Sequence, residues 1–148
     1  MRHLSQTKIL IVDDQEIMRA LAVRTLRHIG FPHAWEAANG LDGLAAALAL
    51  RPDIIISDYD MPEMDGLELL EKVRGSSGIA ETGFILLSGA SDGIVVKKAC
   101  DLGVSDFIVK PFELGDFRRR VERLAQAIFD RPLDQRVAPE PRPSLRPA

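Results

Sequence analysis

The sequence lacks most of the devices that would mark it as secreted, redox-active or membrane-bound. Cys100 is its one cysteine, so neither a disulfide framework nor a CxxC metal or redox site can form. The setting of that thiol, between Ala99 and Asp101, predicts a small buried helical residue and not a nucleophile. No charge of one sign predominates: a net charge of −3 gives no global attraction to DNA or to a membrane surface. No apolar run approaches the length of a membrane span, and Met1 to Lys8 lacks the apolar stretch of a secretion signal, so a cytoplasmic protein is expected. The histidines, His3, His28 and His33, show no ligand spacing.

What remains is an ordinary globular composition, 46% apolar and 28% charged over 148 residues. That suits one domain with a sizeable core. Continuous apolar runs recur along it. Lys8-Ile9-Leu10-Ile11-Val12 ends in Asp13-Asp14, Ile54-Ile55-Ile56-Ser57 ends in Asp58, Phe84-Ile85-Leu86-Leu87 ends in Ser88, and Asp106-Phe107-Ile108-Val109 ends in Lys110-Pro111. Such runs read as strands buried on both faces of a sheet. His33–Ala37 is a shorter, less apolar candidate for an edge strand. Helical spacing follows each strand, over 15–29, 43–50, 67–73, 94–102 and 114–129, with Asn39-Gly40 read as a turn. Trp35 reads as core. Phe117, Val121, Leu124 and Ile128 form the inner face of the last helix, and Arg118-Arg119-Arg120 reads as solvated. Strict alternation predicts an α/β fold: a doubly wound parallel sheet with five strands and helices on both faces. The domain should span 1–129. Residues 130–148, punctuated by prolines, should be an extended or disordered tail.

The first, third, fourth and fifth strands thus end in polar groups at the edge where open α/β sheets bind ligands. Adjacent carboxylates repel unless a cation intervenes, and Mg2+, a hard ion with oxygen ligands, suits them. A carboxylate can also attack phosphorus to give an aspartyl phosphate. Lys110 would then supply positive charge and Ser88 a hydroxyl donor, while Gly89 and Ala90 leave room for a phosphoryl group. The milder readings are that Asp13-Asp14 caps a helix, Asp58 is a turn residue, Lys110 is solvated and Phe107 is permanent core.

The motifs ILIVDD, IIISDYDMPEMDG, ILLSGA and DFIVKPF, spaced over Lys8 to Phe129, resemble the receiver domains of CheY-like response regulators from two-component signalling. The resemblance implies the strand order 2-1-3-4-5 and a stand-alone phosphoacceptor protein rather than an enzyme. It implies Asp58 as phosphoacceptor and Asp13, Asp14, Asp58 and the backbone carbonyl of Asp60 as Mg2+ ligands. Ser88 would sense the phosphoryl group, Lys110 would ion-pair with it before a cis bond to Pro111, and Phe107 would be the switch aromatic. A histidine kinase or histidine phosphotransfer protein would be the donor. No output domain is expected after Phe129, so a downstream protein would be engaged through the fourth helix, fifth strand and fifth helix. Two positions depart from the family: Gly89 stands where alanine is frequent, and Phe107 lacks the hydroxyl of the commoner tyrosine.

Two alternatives stay open. Asp58-Tyr59-Asp60 resembles the DxD of small Mg2+-dependent phosphatases with an aspartyl nucleophile. From Arg118 onward there are eight arginines and no lysine. Some CheY-like proteins bind cyclic di-GMP through arginine-rich tails, which makes Arg131, Asp134 and Arg136 a candidate nucleotide site.

Overall fold

A computed structural model describes residues 5–89 and 93–131. The elements are β1 (Lys8–Val12), α1 (Glu16–His28), β2 (His33–Ala37), α2 (Gly40–Leu50), β3 (Ile54–Asp58), α3 (Gly66–Arg74), β4 (Gly83–Ser88), α4 (Gly93–Asp101), β5 (Asp106–Val109) and α5 (Leu114–Phe129). All pairings are parallel and the order is β2-β1-β3-β4-β5. This is the expected doubly wound, flavodoxin-like sheet.

The apolar runs are continuous because each strand feeds two cores at once. Side chains alternate across a strand with period two. Ile9, Ile11, Ile54, Ile56, Ile85 and Ile108 therefore face α1 and α5, where Val23, Leu26, Phe117, Val121, Ala125 and Ile128 meet them. Leu10, Val12, Ile55, Phe84 and Leu86 face the opposite side, against Ala47 and Leu50 of α2, Leu69, Leu70 and Val73 of α3, and Val95 and Ala99 of α4. Burying each isoleucine of β3 contributes about 1.5–3 kcal/mol, and a charge placed there would be buried without a partner.

Helix starts differ from the periodicity. The chain bends at Asn39, which is also the N-cap of α2, its side chain accepting the Asp42 N–H at 2.7 Å, and Gly40 is already helical. Glycine is required at that start by contact rather than by backbone freedom: a Cβ on Gly40 would lie 2.8 Å from the Met64 side chain, and one on Gly43 2.9 Å from Val12. At α3 the side chain of Asp65 accepts the Glu68 N–H while the Asp65 N–H donates to Glu68, a reciprocal capping box.

Three further expectations are corrected. Cys100 is exposed, because Val95 and Ala99, one turn apart, occupy the inward face of α4 and Cys100 sits one step round the helix. Trp35 is half-buried: it lies on the edge strand β2, stacked beside His33 with ring centroids 6.3 Å apart. Arg120 is not simply solvated; its guanidinium donates to Asp106 at 2.7 Å and Asp116 at 2.9 Å, tying α5 to β5. On α5, Ala125 is buried where Leu124 is only partly so.

The amino edge of the sheet is closed by backbone clamps. Arg74 donates to the carbonyls of Ala80, Thr82 and Gly103, joining the end of α3 to the segments that enter β4 and β5. The Lys8 N–H donates to Asp53 Oδ2 at 2.8 Å and its ammonium to the Leu50 carbonyl. Burial raises the proton affinity of Asp53 above the ordinary 3.8, outweighing the Lys8 amide and charge that lower it. A carboxyl whose folded pKa is raised binds more protons in the folded state, so its contribution to stability falls as pH rises through that raised value. Asp53→Asn keeps an oxygen for the Lys8 amide and removes the buried charge. Denaturant titrations should find it more stable than the parent at neutral pH, with the gap closing on acidification towards 3.8.

Candidate functional site

The strand order brings the carboxyl ends of β1, β3, β4 and β5 side by side. Asp58 is the last residue of β3, opposite Leu87 of β4, and is 7% exposed. Asp13 follows β1 and is nearly buried, while Asp14 is exposed. Carboxylate oxygens of Asp13, Asp14 and Asp58 all lie within 4.8 Å of one another. From β5, Lys110 places Nζ 2.6 Å from Asp58 Oδ1. The Lys110 N–H donates to the Ser88 carbonyl at 2.7 Å, and the Lys110–Pro111 bond is cis. Ser88, at the end of β4, is buried.

The electrostatics of this cluster are unfavourable to its own charge. Burial raises the proton affinity of Asp58 above 3.8; the hydrogen bond and charge of Lys110 oppose it, and Asp13 and Asp14 add to it. The net direction is upward, so one lysine does not offset desolvation and two acids together. Hard oxygen donors this close fit a small divalent cation such as Mg2+.

Other groups fix the geometry. Asp13 is held at three points: its N–H donates to the Ala37 carbonyl at 3.2 Å, its carbonyl accepts from Arg19 Nη1 at 2.8 Å, and its Oδ1 accepts the Gln15 N–H at 2.9 Å. The acid therefore both orders the entry to α1 and faces the pocket, so the capping and functional readings are compatible. Gly66 lies directly behind Asp58. A Cβ there would come within 2.5 Å of Leu86 Cδ1, 2.6 Å of the Asp58 carbonyl oxygen and 2.9 Å of Tyr59 Cα. On the open side, a Cβ on Gly89 would meet nothing within 4 Å, which leaves the room expected there. A largely apolar cleft of about 380 Å³ opens from the acids between α1 and the start of α5, lined by Met18, Leu21, Leu87, Phe112, Leu114 and Phe117. Stacking of Phe112 on Phe117, centroids 5.3 Å apart, anchors its far wall.

The remaining predicted residues are more scattered. Asp60 is exposed, two residues past Asp58. Phe107 is half-buried on β5, paired in register with Leu86 and packed against the core on the α2–α4 side. Arg131 is at the opposite edge of the sheet, its Nη1 on the Glu81 carbonyl at 3.2 Å. Asp134, Arg136 and the rest of the expected tail lie outside the described residues, as does Ala90. Sequence reasoning missed Gly66 and Arg19. The capping pattern around Asp65 and Glu68 marked the helix start that places Gly66, but nothing local pairs Arg19 with Glu36 of β2, 17 residues away.

Fold and pocket together define a class: a doubly wound α/β domain with three acids and a lysine at the carboxyl edge of its sheet. Residues 9–122 match the model of the response regulator receiver domain. The probable chemotaxis protein CheY of Rhizobium etli is 32% identical over 121 residues, 82% of this chain and 94% of that protein. CheY1 of Helicobacter pylori is 34% identical over 116 residues, 78% of this chain and 94% of that protein. Among solved structures, the signal receiver domain of a signal transduction histidine kinase from Syntrophus aciditrophicus aligns with a TM-score of 0.77 at 31% identity, covering 86% of this chain and 96% of that one. The Vibrio cholerae chemotaxis protein CheY4 gives 0.75 at 31% identity, covering 80% and 98%. The chain belongs to the response regulator receiver family, the CheY-like proteins of two-component signal transduction. Receiver domains bind Mg2+ at an acidic pocket and interact with histidine kinases and downstream targets, and Asp13, Asp14 and Asp58 form such a pocket here.

Two stability measurements test this geometry. Helix propensity alone favours Ala over Gly by up to about 1 kcal/mol, yet Gly66→Ala should destabilise by about 1–3 kcal/mol because the new methyl meets backbone behind Asp58. Asp58→Asn should stabilise metal-free protein against denaturant at neutral pH, on the order of 1.4 kcal/mol for each tenfold net rise in the proton affinity of Asp58 on folding.

Proposed function

We propose that this chain accepts a phosphoryl group on Asp58 from a histidine kinase or histidine phosphotransfer protein and signals by contact with a downstream protein. The observation that carries the reading is the 2.6 Å contact of Lys110 Nζ with Asp58 Oδ1, in a pocket shared with Asp13 and Asp14. An Asp58 oxygen attacks phosphorus, the P–N bond of the donor phosphohistidine breaks, and the electron pair leaves with the imidazole. Lys110 opposes the burial that raises the proton affinity of Asp58 and then balances charge on the phosphoryl oxygens. Ser88, at the end of β4, would be their hydroxyl donor. Asp13, Asp14, Asp58 and the Asp60 carbonyl would hold Mg2+, which offsets the mutual repulsion of carboxylates and phosphoryl group.

The rim of the pocket suits a protein donor. Ile17, Met18 and Leu21 on α1 and Phe112 and Leu114 after β5 are all exposed apolar side chains. A partner helix that covers them excludes water from the transfer. Phosphorylation then biases Phe107 and the surface formed by α4, β5 and α5, where Ile94 and Val109 are exposed. A phosphatase would need a segment to cap its substrate; among the described residues, the pocket-side connections are short, with 59–65 the longest.

Incubation with acetyl phosphate and Mg2+ followed by intact-mass measurement checks the reading. The parent should gain one phosphoryl group, Asp58→Asn none, and Lys110→Ala should react about 100-fold more slowly. Uptake by Asp58→Asn at the parental rate would overturn the assignment.

A further inference from the structure

We propose that Arg19 is a positioning residue for divalent cation binding, acting through the backbone between Asp13 and Asp14. The inference rests on the reading of those acids as cation ligands.

Arg19 sits in the first turn of α1, where a long basic side chain ordinarily reaches into solvent. Here it is turned inward and only 14% exposed. Nη1 donates to the Asp13 carbonyl at 2.8 Å, and Nε to Glu36 Oε1 at 3.2 Å. Glu36 belongs to β2 and pairs in register with Ile11 of β1. The neighbouring Ala37 carbonyl takes the Asp13 N–H. Asp13 is thereby tied to β2 twice, once directly and once through the arginine.

The carbonyl is the informative atom. A peptide unit is planar, so fixing the Asp13 oxygen fixes the plane that carries the amide nitrogen and Cα of Asp14. Asp14 is itself exposed, and no side-chain hydrogen bond to another described residue orders it. Arg19 thus sets the relation between two carboxylates whose oxygens must converge within 4.8 Å of each other and of Asp58. Mg2+ demands near-ideal ligand geometry, so such preorganisation appears directly in its affinity.

The charge of Arg19 acts in the opposite direction. A guanidinium near the pocket repels a cation, although Glu36 offsets it. If Arg19 were only a nearby charge, removing it would tighten cation binding. As a clamp, its removal weakens binding. The sign of the change separates the two roles.

Calorimetric titration of the full chain with Mg2+, without any phosphodonor, reads this. Arg19→Ala should weaken the dissociation constant by about tenfold. Arg19→Lys keeps the charge but lacks the fork for both contacts, and should also weaken binding, by less. Arg74→Ala is the control for a structural arginine: it removes carbonyl clamps at the far edge and should lower stability while leaving the Mg2+ constant unchanged. Unchanged or tighter binding in Arg19→Ala overturns the proposal, as does equal weakening in Arg74→Ala. Should Arg19→Ala not fold, Arg19→Lys decides alone, and parental affinity there overturns it. Asp13→Asn and Asp14→Asn test the underlying reading separately: if both bind Mg2+ as the parent does, the acids are not the ligands.

Discussion

Everything at the carboxyl edge of the sheet answers to one interaction, the contact between Lys110 and Asp58. It places one cation against one carboxylate in a pocket that holds two further acids. Burial costs the Asp58 anion more than Lys110 returns. The pocket is therefore a local charge excess that the fold tolerates, and a divalent cation or a ligand that needs positive partners relieves it. Such an arrangement persists only where its surroundings leave it no alternative. Here the surroundings are a two-faced core: Ile54 and Ile56 of β3 are buried in one core and Ile55 in the other, and Asp58 continues the same strand.

The two edges of the sheet are built differently. At the amino edge, Arg74, Lys8 and Asp53 spend their charges on backbone groups, and the segments entering β3, β4 and β5 are tied together. At the carboxyl edge charge is concentrated instead, backed by Gly66 and flanked by an apolar cleft. Backbone clamps thus hold one end of the sheet, while like charges are gathered at the other. The Arg120 pair with Asp106 extends that frame to β5, beside the half-buried Phe107.

Much of this was legible in the sequence because a central parallel strand must be apolar on both faces and must stop where a polar group begins. β1, β3 and β5 begin and end where their apolar runs do, and α5 spans its full periodic stretch. The helix starts were less legible. α2, α3 and α4 all begin at a glycine, which local propensity counts as a breaker although the first turn tolerates it. Cys100 was misplaced for a related reason: composition marks it as small and apolar, but only the phase of α4, set by Val95 and Ala99, decides which way it faces.

The sequence by itself determined the elements, their alternation and the identity of the groups at each strand end, because burial on two faces and the polar stop leave a direct trace in residue order. Only the tertiary structure decided how those groups stand to one another. The separation of Lys110 from Asp58, the convergence of Asp13 and Asp14 on Asp58, and the approach of Leu86 that leaves no room for a methyl group on Gly66 all join residues far apart in the chain. They exist because strands β1, β3, β4 and β5 are neighbours, and local sequence carries no record of which strands pair.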